Sequence, residues 1–71
     1  MALPLDVLER SLNKTMSLLL KDGRSIDGTL VGYDQYMNLV MDDAEESRDD
    51  TVRRLGTIVL RGNNLVSITP K

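Results

Sequence analysis

The 71-residue chain contains no cysteine and no histidine. No disulfide can staple it, and two of the commonest zinc and iron ligands are missing. The usual nucleophile–base pairs of covalent catalysis also need one of these residues, so such an active site cannot be built. There is no tryptophan or phenylalanine, and two tyrosines are the only aromatics. A groove for proline-rich peptides needs clustered aromatic rings, so that kind of peptide-binding barrel is not indicated. No apolar run approaches the roughly 18 residues of a membrane span. The first segment, "MALPLDVLERSLNK", is broken by charges and lacks the apolar core of a signal peptide. The reading is a cytoplasmic protein with no membrane contact, no cofactor and no metal. The missing cysteines fit a reducing compartment.

A domain of this size buries only about 60% of the surface its unfolded chain exposes and is marginal alone. Disulfides, metals or oligomerisation usually supplement such a core. With the first two absent, self-association becomes the attractive supplement. The net charge is −2, which argues against a broad basic face for nucleic acid. Any nucleic-acid site must be a local cluster.

Along the chain, residues 4–13, "PLDVLERSLN", read as a short helix. Pro4 suits the first helical position, and Asp6 and Glu9 favour the positive end of the dipole. Leu5, Leu8 and Leu12 form one apolar stripe, and Asn13 is a plausible stop. Strand and turn follow. "TMSLLL" puts Met16, Leu18 and Leu20 on one face. "KDGR" carries the hairpin signal Asp22-Gly23. In "SIDGTLVGY", Gly28 and Gly32 share a face with Ile26 and Leu30, a pattern that marks a bend or a close backbone approach. A third strand is expected over 37–42. Next comes a charged loop over 42–54, acidic first and basic last. "LGTIVL" is a fourth strand, "RGNN" a tight turn and "LVSIT" a fifth strand. One helix and about five short strands over 15–69 imply a mostly β, barrel-like sheet in a single domain spanning 1–71.

Two short stretches invite chemistry. If the chain is extended around "GYDQYMNLVM", period two puts Tyr36 and Asn38 on one face and Met37, Leu39 and Met41 on the core side. The tyrosine ring then offers a stacking surface for a base, and the amide offers donors and an acceptor to a base edge. The alternative is that Tyr36 packs on a neighbour and Asn38 bonds its own loop. In "LRGNN", Gly62, Asn63 and Asn64 all tolerate a positive φ. The stretch is either an ordinary turn with an exposed arginine or a turn that aims the Arg61 guanidinium at a ligand. The carboxylates Asp42, Asp43, Glu45, Glu46, Asp49 and Asp50 read as a solvated acidic loop, with a weak divalent-cation site as the lesser alternative.

Together the two stretches resemble the paired sequence motifs of the Sm and Sm-like (LSm) family. Gly28, Leu30, Gly32, Asp34, Met37, Asn38, Leu39, Met41 and Ala44 match the first motif. Leu60-Arg61-Gly62-Asn63, with Leu65, Val66 and Ile68 after it, matches the second. The short chain is most similar to archaeal members. The resemblance implies an N-terminal helix on a strongly bent five-stranded antiparallel open barrel. It also implies a homomeric ring, most commonly of seven, closed by pairing the fourth strand of one subunit with the fifth of the next. Such rings bind single-stranded uridine-rich RNA at the central pore and act in RNA processing or ribonucleoprotein assembly. They work as binding scaffolds rather than enzymes, with other RNA-processing proteins as further partners. Carried over, Tyr36 and Arg61 sandwich the base and Asn38 reads its edge. Asp34 orients the loop, and Gly62 and Asn63 complete the site. Asn63 stands where aspartate is frequent, which removes a charge. The alternative for the whole is a protein-interaction ring with weak or no RNA binding.

Overall fold

A computed structural model describes residues 4–71. The chain forms helix α1 (Pro4–Ser11), then strands β1 (Thr15–Leu20), β2 (Ser25–Tyr33), β3 (Leu39–Arg48), β4 (Thr51–Leu60) and β5 (Leu65–Pro70). A single 3₁₀ turn, Gly62–Asn64, joins β4 to β5. The strands make one antiparallel sheet in the order β4-β3-β2-β1-β5. The expected helix-plus-five-strand bent sheet is therefore what forms, with β4 and β5 as its two free edges.

The helix ends at Ser11 rather than Asn13. Asn13 instead takes φ 63° and donates its N–H to the Leu30 carbonyl, so it turns the chain into the sheet. Leu8 is fully buried, whereas Leu5 stays 37% exposed. One leucine thus supplies most of the docking, with about 1.5–3 kcal/mol of apolar burial. The core gathers Met16, Leu18 and Leu20 from β1, Ile26 and Leu30 from β2, and Leu39, Met41 and Ala44 from β3. Apart from Ala44, which a register shift in β3 turns inward, these are the inward positions of the period-two pattern. The "KDGR" turn is a hairpin, with Gly23 at φ 93°.

The bend has a steric basis at Gly28. A Cβ there would lie 3.0 Å from the Asp42 carbonyl oxygen and 3.2 Å from the Ala44 Cα. Only a residue without a side chain lets β2 and β3 approach so closely. The β2–β3 register shifts beside this point, between Asp27 and Thr29. Such bulges increase local twist and let a sheet curl.

Two expectations are corrected. The charged segment 42–54 is not a loop. β3 runs on to Arg48, β4 starts at Thr51, and only Asp49 and Asp50 make the turn. Opposite charges face each other across this hairpin: Glu45 lies opposite Arg54, in an ion pair at 3.5 Å, and Glu46 lies opposite Arg53. Cross-strand pairs of opposite sign favour sheet in a stretch that buries little. The third strand also begins at Leu39 rather than 37, because Met37 has φ 63°. No helix among the described residues is long and apolar enough to cross a membrane.

Candidate nucleic-acid interface

The segment between β2 and β3 is a turn built around one carboxylate. Asp34 Oδ1 accepts hydrogen bonds from the backbone N–H groups of Tyr36 (2.9 Å) and Asn38 (3.0 Å). Asp34 Oδ2 accepts from Asn38 Nδ2 at 2.9 Å. The Met37 N–H donates to the Asp34 carbonyl, and the Asp34 N–H to the Asn38 carbonyl. These bonds stabilise the charged carboxylate. Asn38's side chain and then its backbone, with the Tyr36 N–H behind them, hold the Asp34 carboxyl below its ordinary value.

Tyr36 and Asn38 do reach the same cleft, but period two is not the cause. Met37 sits in a left-handed conformation, so the chain is not extended there. The turn swings Met37 against the core and leaves Tyr36 73% exposed. A ring so exposed in an ordered turn is available for stacking. The alternative reading of Asn38 is also realised in part, since its amide does bond its own loop.

The second segment closes on the first from across the chain. Gly62 donates its N–H to Asn38 Oδ1 at 3.3 Å. The glycine is needed for space and not for a positive φ, which corrects the expectation from "RGNN". Among the described residues the left-handed positions are Gly23, Gly56, Asn13, Met37, Asp43 and Asp49. A Cβ on Gly62 would fall 2.5 Å from the Tyr36 carbonyl oxygen and 2.8 Å from that of Met37. Real structures do not tolerate such distances, so the two turns touch through this position.

The result is a cleft of ≈ 390 Å³ lined by Tyr36, Asn38, Arg61 and Asn63. Four of the six expected site residues line it. Asp34 and Gly62 lie behind, holding Asn38 from two sides. Asn38 has two N–H donors and two oxygen lone pairs. Asp34 uses one donor and Gly62 one lone pair, which leaves one donor and one acceptor for a ligand. Its amide cannot flip without breaking both bonds. Beside this cleft lies a second surface that sequence reasoning missed, where Gly32, Tyr33, Val40 and Val59 border Asp34, Asn38 and Arg61. Among the described residues, no three carboxylates gather in a way that could hold a metal ion.

The LSM domain model matches residues 6–70. The chain belongs to the LSM, or Sm-like, family. A putative snRNP Sm-like protein of Archaeoglobus fulgidus is 50% identical over 68 residues, covering 94% of this chain and 88% of the relative. Among solved structures, the Pyrococcus abyssi Sm protein in complex with a uridine heptamer is 45% identical with a TM-score of 0.92. The match covers 99% of this chain and all of that one. The P. aerophilum SmAP1 heptamer is 38% identical with a TM-score of 0.91, over 100% of this chain and 96% of that one. The fold of this Sm-like protein is thus that of archaeal Sm proteins throughout the described residues.

Proposed function

We propose that this Sm-like protein assembles into a homomeric ring of seven and binds single-stranded uridine-rich RNA around the pore, acting in RNA processing or ribonucleoprotein assembly. The observation that carries this reading is the fixed Asn38 amide in a cleft between an exposed tyrosine and an arginine. One free donor and one free acceptor, held in a set orientation, match the acceptor–donor edge of uracil. A cytosine edge presents the two in the opposite order and would require the amide to flip.

Tyr36 supplies one stacking face and the Arg61 guanidinium the other. Asp34 and Gly62 are positioning residues that act through Asn38. Asn63 lines the cleft as a neutral amide and adds no negative charge near the RNA backbone. A ring of chains each carrying −2 is acidic as a whole. Seven arginines converging on the pore still make the near field positive there. Affinity then rests more on stacking than on counterion release, so its salt dependence is shallow for a nucleic-acid binder.

Assembly into a ring fits the two free edges of the sheet, which are a liability in a monomer. The uridine heptamer bound by the P. abyssi relative and the heptamer of the P. aerophilum relative support the same reading. The role is that of a binding scaffold rather than an enzyme, working in the cytoplasm. Native mass spectrometry with and without oligo(U), alongside titrations with oligo(A) and oligo(C), tests it. A heptamer that prefers oligo(U) is the expected result. A monomer removes the ring, and equal binding of all three polymers removes the edge-reading role of Asn38.

A further inference from the structure

β4 is ten residues long and β5 is six. β4 runs toward the turn that carries Arg61 and Asn63, and β5 runs away from it. The following inference rests on the ring proposed above, in which these turns line the pore. There, β5 of one subunit lies antiparallel to β4 of the next and starts from the pore end. Six residues can cover only six of ten, so with both strands counted from the pore end β5 would lie along Leu55–Leu60 and leave Thr51–Arg54 uncovered.

β4 changes character at the same place. Leu55, Ile58 and Leu60 pack against the core, whereas Thr51, Val52, Arg53 and Arg54 are all exposed. Gly56, at φ 74°, and a register shift at Ala44 separate the two halves. The inner edge of the distal half pairs with Glu45–Arg48 of β3. Its outer edge has no strand beside it within the chain. Val52 is 62% exposed. The Arg54 side chain is 89% exposed, and among the described residues its one ion pair is a 3.5 Å contact with Glu45. Arg53 makes no ion pair among the described residues. Glu46, which faces Arg53 across the strands, is already held by Arg24 at 3.1 Å.

We propose that the distal half of β4 is a docking edge for an extended acidic segment of a protein partner, added to the sheet as one more strand outside the ring closure. An uncovered edge presents N–H and C=O groups at ladder spacing, which an extended peptide can pair. Period two places Val52 and Arg54 on one face and Thr51 and Arg53 on the other. The fitting segment carries acidic residues opposite the arginines and an apolar residue beside Val52. Single-stranded RNA fits this edge poorly. Both tyrosines lie at the opposite end of the sheet, so no stacking platform is present.

The test uses the assembled protein, its mass checked by light scattering, and a fluorescent peptide in which consecutive valine, aspartate and aspartate can oppose Val52, Arg53 and Arg54. Anisotropy should show saturable binding that persists with oligo(U) in the pore. Replacing Arg53→Gln and Arg54→Gln together should weaken it about tenfold while ring mass and oligo(U) affinity stay unchanged. N-methylating alternate peptide amides should abolish it, and a lysine-for-aspartate peptide should not bind. An intact ring that ignores the acidic peptide overturns the docking edge alone and leaves the two arginines as guards against aggregation. Binding that survives N-methylation reduces the effect to charge attraction and overturns strand addition. Loss of oligo(U) affinity in the double variant assigns the arginines to RNA instead. A monomer by light scattering overturns the ring and, with it, the docking edge.

Discussion

Gly62 donates its backbone N–H to Asn38 Oδ1 across 3.3 Å, joining two turns 24 residues apart in the chain. The contact leaves no room for a side chain, since a Cβ on Gly62 would meet the Tyr36 carbonyl oxygen at 2.5 Å and the Met37 Cβ at 2.9 Å. Gly62→Ala should therefore push the turns apart. The expected cost is about 1–3 kcal/mol of stability, the range for forcing extra carbon into a packed site. Oligo(U) affinity should fall as well, because Asn38 loses one of its two anchors. Urea melts and a titration on the same preparation check both. A variant with parental stability and affinity would mean that the two turns separate without consequence for the site.

Asp34 controls the other anchor. Asp34→Asn keeps an acceptor for the Tyr36 and Asn38 backbone N–H groups but sets an N–H donor against Asn38 Nδ2. Asn38 must then flip or release the bond, and flipping breaks the contact with Gly62. Discrimination between oligo(U) and oligo(C) should shrink more than total affinity. The pH dependence follows from the same bonds. The Asp34 carboxyl is held below its ordinary value by its hydrogen bonds with Asn38 and Tyr36. Its contribution is thus fully present above the unfolded value of about 4 and is lost only as pH falls through the lower folded value. Selectivity should be flat from neutral pH down to about 4 and decline below it. A midpoint near neutrality would place control of the loop on some other group.

The parts of this fold that bury apolar surface were legible in the sequence. Period two located the inward residues of β1 and β2, Asp22-Gly23 marked its turn, and Gly28 marked the bend. The distal hairpin was not legible, because an exposed strand rich in charged residues has no apolar period. Its sign was nevertheless present: acidic residues precede Asp49-Asp50 and basic ones follow, so folding at that point opposes Glu45 to Arg54 and Glu46 to Arg53. Met37 misled for a different reason. An apolar residue between Tyr36 and Asn38 fits an extended strand, and only the backbone bonds to Asp34 reveal the left-handed turn. Tyr36, Asn38 and Arg61 were singled out as candidates through two motifs together, since either turn alone had an ordinary reading.

The hairpin is braced at its base by Arg24, which donates from Nε to Asp22 Oδ2 at 2.7 Å and from Nη1 to Glu46 Oε1 at 3.1 Å. Arg24→Ala leaves the mostly buried Glu46 carboxylate without its cation, whereas Glu46→Gln removes the charge and retains an acceptor. Leaving a partner unpaired is the costlier change. Arg24→Ala should therefore raise amide exchange across 45–54 more than Glu46→Gln does. Both should leave oligo(U) affinity intact. Equal exchange in the two variants would show that the strand ladder alone holds the hairpin.

Arg61→Lys isolates the part of the site that depends on shape. Both side chains carry one positive charge, but only the guanidinium is flat enough to cover a base on the face opposite Tyr36. If the base is sandwiched, lysine should cost about 1–3 kcal/mol per engaged base, comparable to the loss from Tyr36→Ala. The loss would be multiplied around a ring, because one RNA engages several subunits and each carries the change. Salt separates the alternatives. A stacking loss persists at high ionic strength, where a purely coulombic contribution is screened for parent and variant alike. Titrations with oligo(U) at low and high salt should show the variant weaker at both, by a similar factor. Parental affinity at both salt concentrations would make Arg61 a point charge, and the ring of Tyr36 would then hold the base from one side only.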